Sequence, residues 1–92
     1  MPPQALDETI LFVWGKGAST RRKILHHIRK CEREGCFLNR LADELGISHV
    51  ATRKHVLLLM QEGYIAQVNP DGKPIFLILT ERGKRAARKY KP

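Results

Sequence analysis

The sequence predicts a mainly α fold with a small β-hairpin, in the order helix, helix, helix, helix, hairpin, helix. Three observations predict it. Apolar residues recur at helical spacing up to residue 62, the period then changes to two β-type runs, and the intervals carry glycines and helix-capping residues. Ninety-two residues are enough for one domain with a single modest core, which an obligate dimer would reinforce.

The first element is the most ambiguous. Asp7 is placed to cap a helix with Glu8 in its first turn, yet Thr9, Ile10, Leu11, Phe12, Val13 and Trp14 are β-rich in propensity and follow neither period. Helix is the reading adopted. The five adjacent apolar side chains from Ile10 to Trp14 cannot all face one small core, so some are expected to meet a partner chain. Gly15, Lys16 and Gly17 break this segment. Residues 1–18 are therefore read as an extension for dimerisation or packing, ahead of a domain over residues 19–92.

Ser19 or Thr20 is the expected cap of the second helix, which runs to about Arg33. Its apolar stripe is Ile24, Leu25, Ile28 and Cys31, and its other faces carry Arg21, Arg22, Lys23, Arg29, Lys30 and Arg33. Glu34 and Gly35 end it. Phe37 and Leu38 form a short extended lead-in, and Asn39 is the expected cap of a third helix with Leu41, Ala42 and Leu45 inward. Gly46 frees the backbone for a positive φ, and Ile47 is expected in the seam between this helix and the next. Ser48 caps a fourth helix over residues 48–62, closed by Gly63. Residues 64–68 and 75–79 form the hairpin around the turn formers of 69–74. Thr80 caps a basic last helix through about Lys89.

Charge narrows the function. Seventeen Lys and Arg against nine Asp and Glu give +8, so the chain is built to meet something negative. No apolar run approaches the ~20 residues of a membrane span. The amino terminus lacks the basic and apolar regions of a secretory signal, so a cytoplasmic location is expected. Catalysis is not expected: there is no Gly-rich phosphate loop and no nucleophile beside a plausible base. No cofactor is expected either.

Three pieces in order, residues 41–48 (LADELGIS), 62–65 (EGYI) and 79–83 (LTERG), resemble the winged helix-turn-helix family, most closely the MarR-like and ArsR-like regulators of bacteria and archaea. The resemblance covers roughly Ser19 to Arg88. It implies double-stranded DNA as partner, a homodimer, and the fourth helix as the reader of the major groove. On that helix Thr52, Val56, Leu59 and Met60 share one face, while the opposite, amino-terminal half shows Ser48, His49, Val50, Arg53 and Lys54. Arg53 matches guanine O6 and N7, Lys54 a base or phosphate, Val50 the thymine methyl, and His49 a base or phosphate. The resemblance implies phosphate contacts for Asn39 and Arg40 and a wing contact for Lys73, although Asp71 sits beside it and the tip lacks arginine.

Leu57 and Leu58 depart from the family pattern and are expected to pack on the amino-terminal segment, the hairpin or a second subunit. Thr52 stands where an aliphatic is usual, tolerable if its hydroxyl bonds back to the preceding turn. Blander readings stand beside these. Arg53 and Lys54 would form a plain solvated face on an arbitrary helix, but their place after the Ser48 cap favours contact. The run from Arg82 to Lys91 is equally a phosphate contact or a solubilising tail. His26, His27, Cys31 and Cys36 have spacings that can seat a soft metal, but structural thiols are preferred, with a disulfide as a further alternative. Phe12 and Trp14 are read as packing rather than as a ligand pocket. The functional expectation is a sequence-specific DNA-binding transcriptional regulator. The alternatives are a winged-helix module for protein or RNA contacts and sequence-indifferent architectural DNA binding.

Overall fold

The computed structural model describes residues 7–32, 36–69 and 75–92. A π-helical turn, Ile10–Trp14, leads into α1 (Ala18–Cys31), β1 (Cys36–Phe37), α2 (Leu38–Leu45), α3 (His49–Gln61), β2 (Ile65–Gln67), β3 (Phe76–Leu79) and α4 (Glu81–Lys89). The chain is mainly helical with a small antiparallel sheet. α1 is the hub, lying against the π-helical turn, α2, α3, α4 and β3.

The opening segment is helical, and its apolar residues divide. Leu11 and Phe12 are fully buried, whereas Ile10, Val13 and Trp14 are exposed. Phe12 meets Tyr64 edge-on with ring centroids 5.1 Å apart and stacks on Tyr90 at 5.3 Å. The turn's terminal carbonyls would lack partners at a helix end. Two arginines of α1 supply donors: Arg21 Nε donates to Leu11 O at 2.6 Å, and Arg22 donates to Phe12 O. Arg21 is therefore buried and Arg22 half-buried, not on the solvent face expected for them.

Two caps differ from expectation. Gly17, at φ 84°, holds the N-cap position of α1 in place of Ser19 or Thr20, because the Gly15–Gly17 turn feeds straight into helix and Ala18 N donates to Gly15 O at 3.0 Å. Phe37 holds that position in α2, leaving Asn39 inside the first turn. Strand pairing is the reason: Leu38 N already donates to Ile75 O at 3.0 Å, so the first amide of α2 is satisfied by the sheet.

α2 and α3 end alike. Ile47 N bonds to Ala42 O (3.2 Å) and Gly46 N to Asp43 O (3.3 Å), while Tyr64 N bonds to Leu59 O (2.9 Å) and Gly63 N to Met60 O (3.1 Å). Both are Schellman closures, and both place glycine in the left-handed region, at φ 68° for Gly46 and 85° for Gly63. Ile47 is half-buried beside the turn. Among the described residues the sheet has three strands, order β1-β3-β2, where the sequence suggested two. The extended lead-in lies at Cys36 and Phe37, one residue earlier than the expected Phe37 and Leu38 because Leu38 already opens α2, and it pairs with Leu77 and Phe76. Along the hairpin Ile65 faces Leu79 and Gln67 faces Leu77. No helix among the described residues is long and apolar enough to cross a membrane.

The segments 62–65 and 79–83 meet in one joint. Thr80 Oγ1 donates to Gly63 O (2.6 Å) and accepts from Gly83 N (3.0 Å), Thr80 N donates to Tyr64 O (3.1 Å), and Arg82 Nη2 donates to the Tyr64 hydroxyl (3.1 Å). Arg82 also lies over the Tyr64 ring at 4.6 Å. Gly83 is buried where α4 touches the Tyr64 main chain, an approach that leaves no room for a Cβ.

Candidate nucleic-acid interface

The amino-terminal half of α3 is built to stand on α2. Ser48 Oγ accepts from Ala51 N at 3.0 Å, which caps the helix and fixes its first turn. Thr52 is fully buried and its hydroxyl donates to Ser48 O at 2.9 Å, the back-bond that lets a polar residue occupy the core face. Val56 and Leu59 continue that face into the core, and Met60 is half-buried. With that side fixed, the opposite side projects. Val50 is 74% exposed, and Arg53 and Lys54 are exposed without an ion pair or hydrogen bond to any described residue.

Asn39 joins this surface. Leu38, Asn39, His49, Val50 and Arg53 line one shallow hollow of about 200 Å³, so the start of α2 and the first two turns of α3 present a common rim. His49 is not free within it, since Nε2 lies 3.0 Å from Asp43 Oδ1. That contact orients the ring across the turn and leaves Nδ1 as its remaining polar atom. Compared with family models, curated proteins and solved structures, the chain matches none. Its chemistry is therefore read from these side chains alone.

Arg40 stands apart from the rim. Its Nε is 2.8 Å from Glu44 Oε1, and Glu44 also pairs with His27. Arg40, then His27, hold the Glu44 carboxyl below its ordinary pKa despite partial desolvation. Arg40 instead borders a second hollow, of about 220 Å³, with His27, Cys31, Cys36 and Glu44. Both cysteines are free thiols, and burial, with Cys31 beside it, pushes the Cys36 thiol up. Among the described residues no three His, Cys, Asp or Glu converge to hold a metal ion. Lys73, the expected wing contact, lies outside the described residues.

The carboxy-terminal cations are divided in use. Arg82 is committed to Tyr64, Lys84 is 3.8 Å from Glu81, and Lys89 is 3.6 Å from Glu8, while Arg85 and Arg88 are exposed. Leu58 is half-buried beside Lys16 and Gly17 of the amino-terminal segment, and Leu57 is exposed on the far flank. The sequence reading missed Arg21 and His55. Arg21 falls on the stripe of Ile24, Leu25 and Ile28 at i, i+3, i+4 and i+7, a spacing that was enough to place it inward.

Proposed function

We propose that the chain is a winged helix-turn-helix protein that binds double-stranded DNA with sequence specificity, as a homodimeric transcriptional regulator. One observation carries the reading. The capped amino-terminal half of α3 is anchored to the core by Thr52 and Val56 and projects Val50 and Arg53 beside Asn39, with Lys54 next along the helix, and neither the guanidinium nor the ammonium is committed to any described residue. An unpaired arginine in the first two turns of a projecting helix suits guanine in the major groove, and the amides that open the helix suit phosphate. A net charge of +8 supplies long-range attraction to the duplex.

Dimerisation is assigned to the exposed Ile10, Val13 and Trp14, which a second copy would cover. Two copies of α3 would then read half-sites about 34 to 36 Å apart. Selection of binding sites from random duplex DNA tests the whole reading. A recovered near-palindromic motif supports it, enrichment without sequence preference points to architectural binding, and no enrichment points to a protein- or RNA-interaction module.

A further inference from the structure

A second cationic feature lies on the opposite flank of α3 from the Asn39 hollow. Lys16, Gly17, Arg21, Ala51, Lys54, His55 and Leu58 line an open trough of about 610 Å³ between the amino-terminal segment and α3. Four basic side chains converge there, and no described carboxylate forms an ion pair with any of them. Arg21 is the unusual member. Only 6% exposed, it spends its donors on the neutral carbonyls of Leu11 and Ile10 and on His55 Nδ1 at 3.4 Å. A buried cation without a counter-charge is costly unless an anion completes it.

The neighbouring groups are shaped for an anion. A guanidinium only donates, so His55 Nδ1 accepts and the neutral ring carries its proton on Nε2, a further donor. Burial first, then Arg21 and Lys54, push the His55 pKa down. Gly17, at φ 84°, keeps the recess open: a Cβ there would stand 2.5 Å from His55 Cε1 and 3.2 Å from Arg21 Nη1.

We infer that this trough seats one phosphate group, held by Lys16, Lys54, His55 and the buried charge of Arg21. The phosphate belongs either to the DNA backbone flanking the groove that α3 enters or to a free phosphorylated ligand. Only the first source rests on the proposed DNA-binding reading.

The test is a titration of the full chain with inorganic phosphate, at ionic strength held constant with sodium chloride, followed by NMR at the Gly17 and Ala18 amides and the His55 ring. Saturable shifts at these positions, absent with chloride alone, are expected. Phosphate should raise the His55 pKa, because an anion in the trough offsets the repulsion of imidazolium by Arg21 and Lys54. Lys16→Gln, at an exposed position, should weaken phosphate by about tenfold, the scale of one charge-assisted contact. Shifts that do not saturate, or a Lys16→Gln chain that binds as well as the parent, overturn the inference.

Duplex DNA separates the sources. If DNA moves the same resonances and competes with phosphate, the seat takes a backbone phosphate, and Lys16→Gln lowers the log-log salt slope by about 1. If phosphate saturates the trough but DNA does not bind, the seat stands for a free phosphorylated ligand and the regulator reading falls. If DNA binds while phosphate leaves the trough unmoved, the seat falls and the regulator reading stands.

Discussion

Gly83→Ala tests the joint between the end of α3 and α4. In an isolated helix alanine is better than glycine by about 1 kcal/mol, so helix propensity alone says that the change stabilises. The packing says otherwise. A Cβ on Gly83 would lie 2.0 Å from the Tyr64 carbonyl oxygen, 3.0 Å from its carbon and 3.3 Å from Leu79 Cδ2. An ordinary carbon–oxygen approach is about 3.3 Å, so the helix must retreat by about 1 Å. The atom in the way is main chain, and the Thr80 amide holds it at 3.1 Å. Overpacking of this kind costs about 1 to 3 kcal/mol, and loss of the Thr80 bond adds about 1 kcal/mol. Set against the propensity gain, the net loss is about 1 to 3 kcal/mol, or about 4 to 8 °C in Tm for each kcal/mol in a domain of this size.

Thermal and urea denaturation followed by circular dichroism measure the change. Gly46→Ala is the reference: its φ is 68° but, beyond its two chain neighbours, no described atom lies within 4 Å of the added Cβ. It should lose only the cost of the left-handed backbone, about 1 to 2 kcal/mol. If Gly83→Ala is as stable as the parent or more so, α4 does not cross Tyr64 at this distance and the joint is drawn wrongly.

Other perturbations address the surface and the buried base. Arg53→Ala should lose roughly 1 to 3 kcal/mol on a selected duplex and relax preference at one base position, read by electrophoretic mobility shift on single-base variants. An equal small loss on every duplex would remove the specific contact. His55 has its folded pKa lowered below 6.5, so the unfolded chain takes up this proton first. Its contribution is intact above about 6.5 and declines as pH falls from there toward the lower folded value. His55→Gln should therefore lose less stability between pH 7.5 and 5 than the parent, and parallel losses in denaturant titrations would contradict that. Trp14→Ser removes a side chain 78% exposed in the single chain. It should shift sedimentation toward monomer while a dilute monomer melts unchanged, and a parent chain that is monomeric at micromolar concentration refutes the two-half-site arrangement.

Much of the backbone was legible because a few residues have one cheap conformation. Gly46 and Gly63 take the left-handed positions that end α2 and α3, and Ser48 and Thr80 cap as their hydroxyls suggest. The face of Thr52, Val56 and Leu59 followed from period alone. The third strand was not legible, because Cys36 and Phe37 are too short a run to register until their partner, β3, is in place. The caps expected at Ser19 or Thr20 and at Asn39 were misplaced for a related reason. Preference for a capping side chain is local, whereas Gly17 and the Leu38 pairing to Ile75 come from a turn and a tertiary contact. At the candidate interface, sequence placed Val50, Arg53 and Lys54 on one exposed face but could not show that Glu44 draws Arg40 away. Nor could composition distinguish Arg21 and Arg22, which hold the carbonyls of the π-helical turn, from the exposed Arg29 on the same helix.

The Phe12 stack and the Arg21 and Arg22 bonds bear on where this chain can be cut. Starting a recombinant version at Ala18 would look harmless from the turn glycines. It would delete Leu11 and Phe12 from the interior, strip Tyr64 and Tyr90 of their aromatic neighbour, and strand a guanidinium in the void left behind. Residues 7–14 are thus a keystone rather than a severable arm, and a chain shortened past them should be judged as a cavity mutant.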